Sequence, residues 1–200
     1  EVLADSHEYP ACMNNLRRIA ARCGATVVAP ELPFPVATPG ELADAILSKV
    51  TERTRIAMIS HTTSPSGLVM PVEQLVRALE ARGVITVVDG AHGIGFVPLD
   101  LKAIGCSYYT SNCHKWLCAP KGSAFLYARP SVQELLKPLV VSWGYESRTP
   151  GVSHFQDYFG WTGTADPSAY LSVPAAIKFH ADNNWPAVRA ACHQLAIEAR

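Results

Sequence analysis

Residues 84–88 read VITVV, a nearly continuous β-branched run closed by Asp89 and Gly90. A run with no polar face needs cover on both sides, which points to a strand inside a parallel sheet flanked by helices. Residues 25–29 (ATVVA), 55–60 (RIAMIS), 107–111 and 124–128 read as further strands. Helical spacing fills the intervals. Residues 10–22 place Met13, Leu16, Ile19 and Ala20 on one face, with Gly24 as the stop. The chain is expected to enter this helix almost at once after Glu1. Thr38 and Pro39 open a second helix carrying Leu42, Ile46 and Val50. Residues 72–82 carry a stripe of Val72, Leu75, Val76 and Leu79 and end at Gly83. From Pro167 onward the pattern is helical, with Pro174 and Pro186 expected as interruptions. The alternation predicts an α/β, three-layer fold with a mainly parallel sheet.

Composition excludes several functions. The 200 residues are 48% hydrophobic and 17% charged, which suffices for a folded core and does not fit disorder. Lys plus Arg, 17 residues, balance the 17 Asp plus Glu, and no basic cluster offers itself to a phosphate backbone, so nucleic acid is not an expected partner. No apolar run approaches the roughly 18 residues of a membrane span. Six cysteines without a C-x-x-C pair read as reduced thiols in a cytoplasmic protein, and no metal site is expected. A dinucleotide fold is disfavoured too, because no G-x-G-x-x-G follows a strand.

Ligands of open parallel sheets bind at the carboxyl ends of strands, and the polar residues gather there. His61, Thr63, Ser64 and Ser66 follow one strand, Asp89 and His92 the next, and Asn112, His114 and Lys115 a third. Asp89 has two readings: a partner for a cationic heterocycle, since a buried carboxylate needs a cation or donors, or the N-cap of a following helix. Lys115 reads either as a solvated lysine or as a nucleophilic amine, because its apolar setting (Trp116, Leu117, Cys118) favours the neutral form. His114 reads as a satisfied histidine at a strand end or as a phosphate contact.

Two segments, VVDGAHGIG at 87–95 and NCHKWLCAPKG at 112–122, set Asp89 and Lys115 26 positions apart. With HTTSPSG at 61–67 and WTGTAD at 161–166 in the same order, the chain resembles the class V aminotransferase family of fold-type I pyridoxal-phosphate enzymes. The H-K-W and A-P-K-G pattern is most similar to the isopenicillin N epimerase-like branch, which includes C–S lyases. The resemblance implies a fragment whose residues 1–166 form the cofactor-binding large domain, with 167–200 leading toward a small C-terminal domain. It also implies family segments beyond both ends. Lys115 would hold pyridoxal 5'-phosphate as a Schiff base and shuttle the substrate's α-proton. Asp89 would pair with the pyridine nitrogen, and His92 would lie near the phenolic oxygen. His114, with Asn112 or Ser111, would contact the phosphate. Thr63 and Ser64 stand where desulfurases carry an asparagine. Tyr9, with His7 as the fallback, takes the place of the family's stacking histidine, or else packs at a helix start. Thr164 matches the residue that reaches the neighbouring subunit's phosphate, which implies a homodimer. No cysteine maps to the persulfide cysteine of desulfurases. The implied activity is epimerase-like or C–S lyase-like on an amino acid, with transamination or a non-catalytic domain as alternatives.

Overall fold

The computed structural model describes residues 1–199. The chain opens with a strand, β1 (Val2–Ala4), and only then enters α1 (Pro10–Cys23). This corrects the expectation of an immediate helix: three residues are too few to show alternation, yet β1 pairs with a strand on each side. β2 (Val27–Val28), α2 (Pro39–Leu47), β3 (Ile56–Ser60), α3 (Val72–Glu80) and β4 (Ile85–Asp89) follow. After α4 (Leu101–Ile104) come β5 (Tyr108–Asn112) and β6 (Ala124–Ala128).

The sheet order is β2-β1-β3-β4-β5-β6. The first five strands run parallel, and β6 pairs antiparallel to β5. The main core joins one face of the sheet to α2, α3 and α4: Leu3, Ile59 and Val88 meet Leu42, Ile46, Leu75 and Leu79. The opposite face is covered more thinly, by a 3-10 turn at Pro130–Leu135 and by α5 (His154–Gly160), around Tyr108 and Ala128. Hence β4 alternates: Val88 is fully buried, whereas Ile85 and Val87 are only half-buried.

Local chemistry sets the boundaries. Gly24 ends α1 in the left-handed region at φ 66°, its N–H on the Ala20 carbonyl, as a residue without Cβ can. The Thr38 side chain accepts the Glu41 N–H, and Glu41 in turn accepts from Ala37 N, a reciprocal cap. Pro174 and Pro186 prove to be starts rather than interruptions. They occupy the first turns of α7 (Val173–Asp182) and α8 (Trp185–Glu198), after α6 (Ser168–Leu171), where the missing N–H costs nothing. α7 packs back on the loop after β5, with Val173 and Ala176 against Cys113, Leu117 and Ala119.

Candidate active site

The order of the strands reverses at β1, whose chain neighbour β2 lies on one side while β3 lies on the other. Such a switch point opens a crevice at the carboxyl ends of the strands. Four ends converge there. Backbone bonds tie them: His61 N donates to Asp89 O at 2.8 Å, and Gly90 N donates to Thr110 O at 2.8 Å.

Asp89 ends β4. Its Oδ1 accepts the Ala91 N–H at 2.8 Å, and its Oδ2 lies 3.8 Å from the Cys12 thiol. The helix N-cap expected as one alternative is not formed, because residues 91–96 are turns. One oxygen closes a local turn, and the other faces a weak donor only. A Cβ on Gly90 or Gly93 would run into the ring or hydroxyl of Tyr109, so glycine lets the backbone fold tightly over that side chain. Ser111 Oγ donates to Gly90 O and accepts from Ile94 N at 3.3 Å, which pins the same turn. Its hydroxyl is thereby engaged, not turned to a ligand.

The pinned turn projects His92 toward the loop after β5. Lys115 Nζ stands 3.1 Å from His92 Nε2, and the Trp116 indole N–H stands 3.0 Å from His92 Nδ1. Lys115 is half-buried. Burial, and secondly the charge of Lys115, lower the pKa of His92, opposed by Asp89. Asp89, His92 and Lys115, distant in sequence, thus share one edge.

A carboxylate that the sequence reading missed joins them. Glu8, 4% exposed, accepts the Tyr9 N–H through Oε1 and the Ser60 hydroxyl through Oε2 at 3.1 Å. Ser60 N donates to Asp5 Oδ2 at 2.9 Å, while the buried Asp5 Oδ1 has no partner among the described residues. Burial, then the charges of Asp89 and Asp5, push Glu8 up to about 8. Burial, then Asp89 and Glu8, push the Cys12 thiol up to about 11. The ligand-type atoms of Glu8, Cys12 and Asp89 lie within 4.8 Å of one another. Glu8 and Cys12, which hold their protons this firmly, make poor metal ligands. Recognising residues 2–4 as a strand would have flagged Glu8, since it follows that strand's carboxyl end.

Other candidates fall elsewhere. Thr63 is 1% exposed and its hydroxyl is spent on the loop, 2.8 Å from Ser66 Oγ and accepting Leu68 N at 2.9 Å, so it does not face a ligand. Ser64 is exposed beside it. His7 Nδ1 meets Ser66 Oγ at 2.8 Å and joins the β1 and β3 ends. Tyr9 caps α1 through its backbone, and the residue is 52% exposed. Asn112 is half-buried at the end of β5 and His114 is exposed on the following loop. Thr164 is exposed between α5 and α6. His61 pairs with Tyr109, Nδ1 to hydroxyl at 2.8 Å, and burial lowers its pKa to about 4, so it is a neutral structural histidine.

The sequence profile described as Aminotransferase class-V matches residues 1–200. The chain belongs to the class V aminotransferase family. This is a family of enzymes that work with pyridoxal phosphate. Among its class V relatives, isopenicillin N epimerase of Streptomyces clavuligerus is 37% identical over 100% of this chain and 53% of its own length. A putative L-cysteine desulfhydrase of Oryza sativa subsp. japonica is 38% identical over 98% of this chain and 42% of its own. The chain therefore spans about half the length of these relatives. Among solved structures, the cystine C-S lyase C-DES with its product cysteine persulfide is 25% identical, with TM-score 0.78 over 90% of this chain and 49% of that one. The apo cysteine desulfurase from Thermococcus onnurineus NA1, 17% identical, shares the fold with TM-score 0.81 over 99% of this chain and 50% of that one.

Proposed function

We propose that the protein is a pyridoxal-phosphate enzyme acting on an amino acid, epimerase-like or C–S lyase-like, with Lys115 as its cofactor amine and α-proton base. The observation that carries this reading is the meeting of Lys115 Nζ with His92 Nε2 at 3.1 Å, near Asp89, whose Oδ2 has only the Cys12 thiol as partner. The donor set suits the cofactor: an amine, a carboxylate oxygen with only a thiol as partner, and a neutral imidazole between loops. Pyridoxal phosphate supplies an electron sink that acidifies the α-hydrogen of a bound amino acid.

The chain's residues do the rest. Lys115 binds the cofactor and takes the proton; Asp89 Oδ2 holds the ring nitrogen in its cationic form. His92 would lie near the phenolic oxygen. His114 and Asn112 offer donors to the phosphate, with Ser64 at the rim, while Thr63 stiffens that loop. Tyr9 offers an aromatic face and an acid opposite Lys115. Thr164 serves the partner subunit's site in a homodimer. Residues 1–166 act as the large domain and 167–200 lead to a smaller one. Among the described residues no helix is long and apolar enough to cross a membrane, and six free cysteines accord with a cytoplasmic setting.

The test uses the full-length protein with its cofactor. Borohydride reduction followed by peptide mapping is expected to label Lys115, and Lys115→Ala to lose the cofactor absorbance. A panel of amino acids including cysteine and cystine is then assayed for epimer, sulfide and keto acid. Epimer or sulfide supports the reading; keto acid alone makes the enzyme a transaminase, and label on another lysine overturns the site.

A further inference from the structure

Trp116 is not used in the reading above, yet its indole nitrogen touches the residue that touches Lys115. The contacts run in a line. Trp116 Nε1 lies 3.0 Å from His92 Nδ1, and His92 Nε2 lies 3.1 Å from Lys115 Nζ. The polarity of such a line is determined by its first member, because an indole N–H can only donate. His92 Nδ1 must therefore present a lone pair. A neutral imidazole carries one proton, so that proton sits on Nε2. An imidazolium is excluded, since its Nδ1–H would oppose the indole N–H; burial works in the same direction, against the pull of Asp89.

The Nε2–H then points at Lys115 Nζ. A hydrogen bond forms there only if Nζ offers a lone pair, and an ammonium has none. We propose that Trp116 is a positioning residue: its indole N–H selects the Nε2–H tautomer of His92, and that tautomer presents Lys115 as a free amine. The opposite tautomer would offer Nε2 as an acceptor and favour the ammonium, which can neither attack a carbonyl nor take up a proton.

The indole is held in place for this task. Its ring packs on Phe96 at 4.7 Å between centroids. Its backbone presses on Gly95, at φ 82°, where a Cβ would strike the Trp116 carbonyl. Of the other charged or titratable groups, Cys12 lies near Lys115 and the Asp89 carboxylate lies near His92. Neither sits in the line of donors.

The inference rests on Lys115 being the cofactor amine, and its test is separate from that reading. In full-length protein freed of cofactor, histidine nitrogen NMR, with His92→Gln for assignment, is expected to show a lone pair on Nδ1 and a proton on Nε2. In Trp116→Phe the two tautomers are expected to mix. Acylation of Lys115 at neutral pH, followed by mass spectrometry with exposed Lys102 as reference, should fall about tenfold in that variant, the worth of one hydrogen bond. A proton on Nδ1 in the unaltered protein overturns the proposal whatever the variant does, as does equal acylation of Lys115 in both proteins. Failure of Lys115→Ala to lose the cofactor absorbance would instead refute the site and leave the tautomer result standing.

Discussion

The ring of Tyr109 occupies the space that a Cβ on Gly90 would need. Gly90 follows Asp89 directly, so the packing of a β5 tyrosine sets how the chain leaves β4 and where the Asp89 carboxylate points. The position tolerates no side chain without moving either the ring or the turn.

Gly90→Ala is therefore expected to destabilise the protein by about 1–3 kcal/mol through overpacking. It should also weaken cofactor binding, because the turn carrying Asp89 and His92 shifts. Chemical denaturation and a cofactor titration check the two effects. A variant as stable and as tightly loaded as the parent would show that the turn has slack.

Tyr109→Phe keeps the ring and removes the hydroxyl that bonds His61 Nδ1 at 2.8 Å. The buried imidazole loses a partner, at a cost of about 1–3 kcal/mol. Adding His61→Leu removes the stranded group, so the double variant should lose less than the sum of the singles. A double-mutant cycle in urea measures this, and strict additivity would contradict the pairing.

Glu8 gives stability a pH dependence of known sign. Its pKa rises from the ordinary 4.5 to about 8 in the fold, through burial and then the charges of Asp89 and Asp5. The folded chain keeps a proton that the unfolded chain has lost. The contribution of Glu8 is thus fully present below pH 4.5 and disappears as pH rises through about 8. Glu8→Gln cannot ionise. Its melting temperature relative to the parent is expected to rise steadily across that window, and a difference independent of pH would contradict a proton on Glu8.

Asp89→Asn retains an oxygen for the Ala91 N–H, so the turn should persist and the melting temperature should hold. The lost charge removes a charge-assisted bond worth about 1.5–3 kcal/mol, which corresponds to roughly a ten- to hundredfold slower reaction. Turnover of the reactive amino acid by full-length variant and parent measures it. An unchanged rate would remove Asp89 from the site.

Much of the architecture was legible in the sequence. The run VITVV, the Thr38-Pro39 start and the Gly24 stop each act through local propensities that hold wherever the segment sits. The polar residues after β3, β4 and β5 were found because a parallel sheet places its ligand groups at those ends. β1 was not legible, since three residues become a strand only through neighbours on both sides. Glu8 was hidden with it.

Side-chain roles divided along the same line. That Asp89, His92 and Lys115 lie at one edge of the sheet followed from the strand ends that carry them, which the succession of parallel strands converts into proximity. That Thr63 and Ser111 spend their hydroxyls on their own loops, and that Trp116 aims its N–H at His92, was decided by tertiary structure alone. Sequence specifies which donors and acceptors are available and which strand end carries them. Which partner each one meets depends on angstrom-scale packing between segments far apart in the chain, because hydrogen bonds are short and directional.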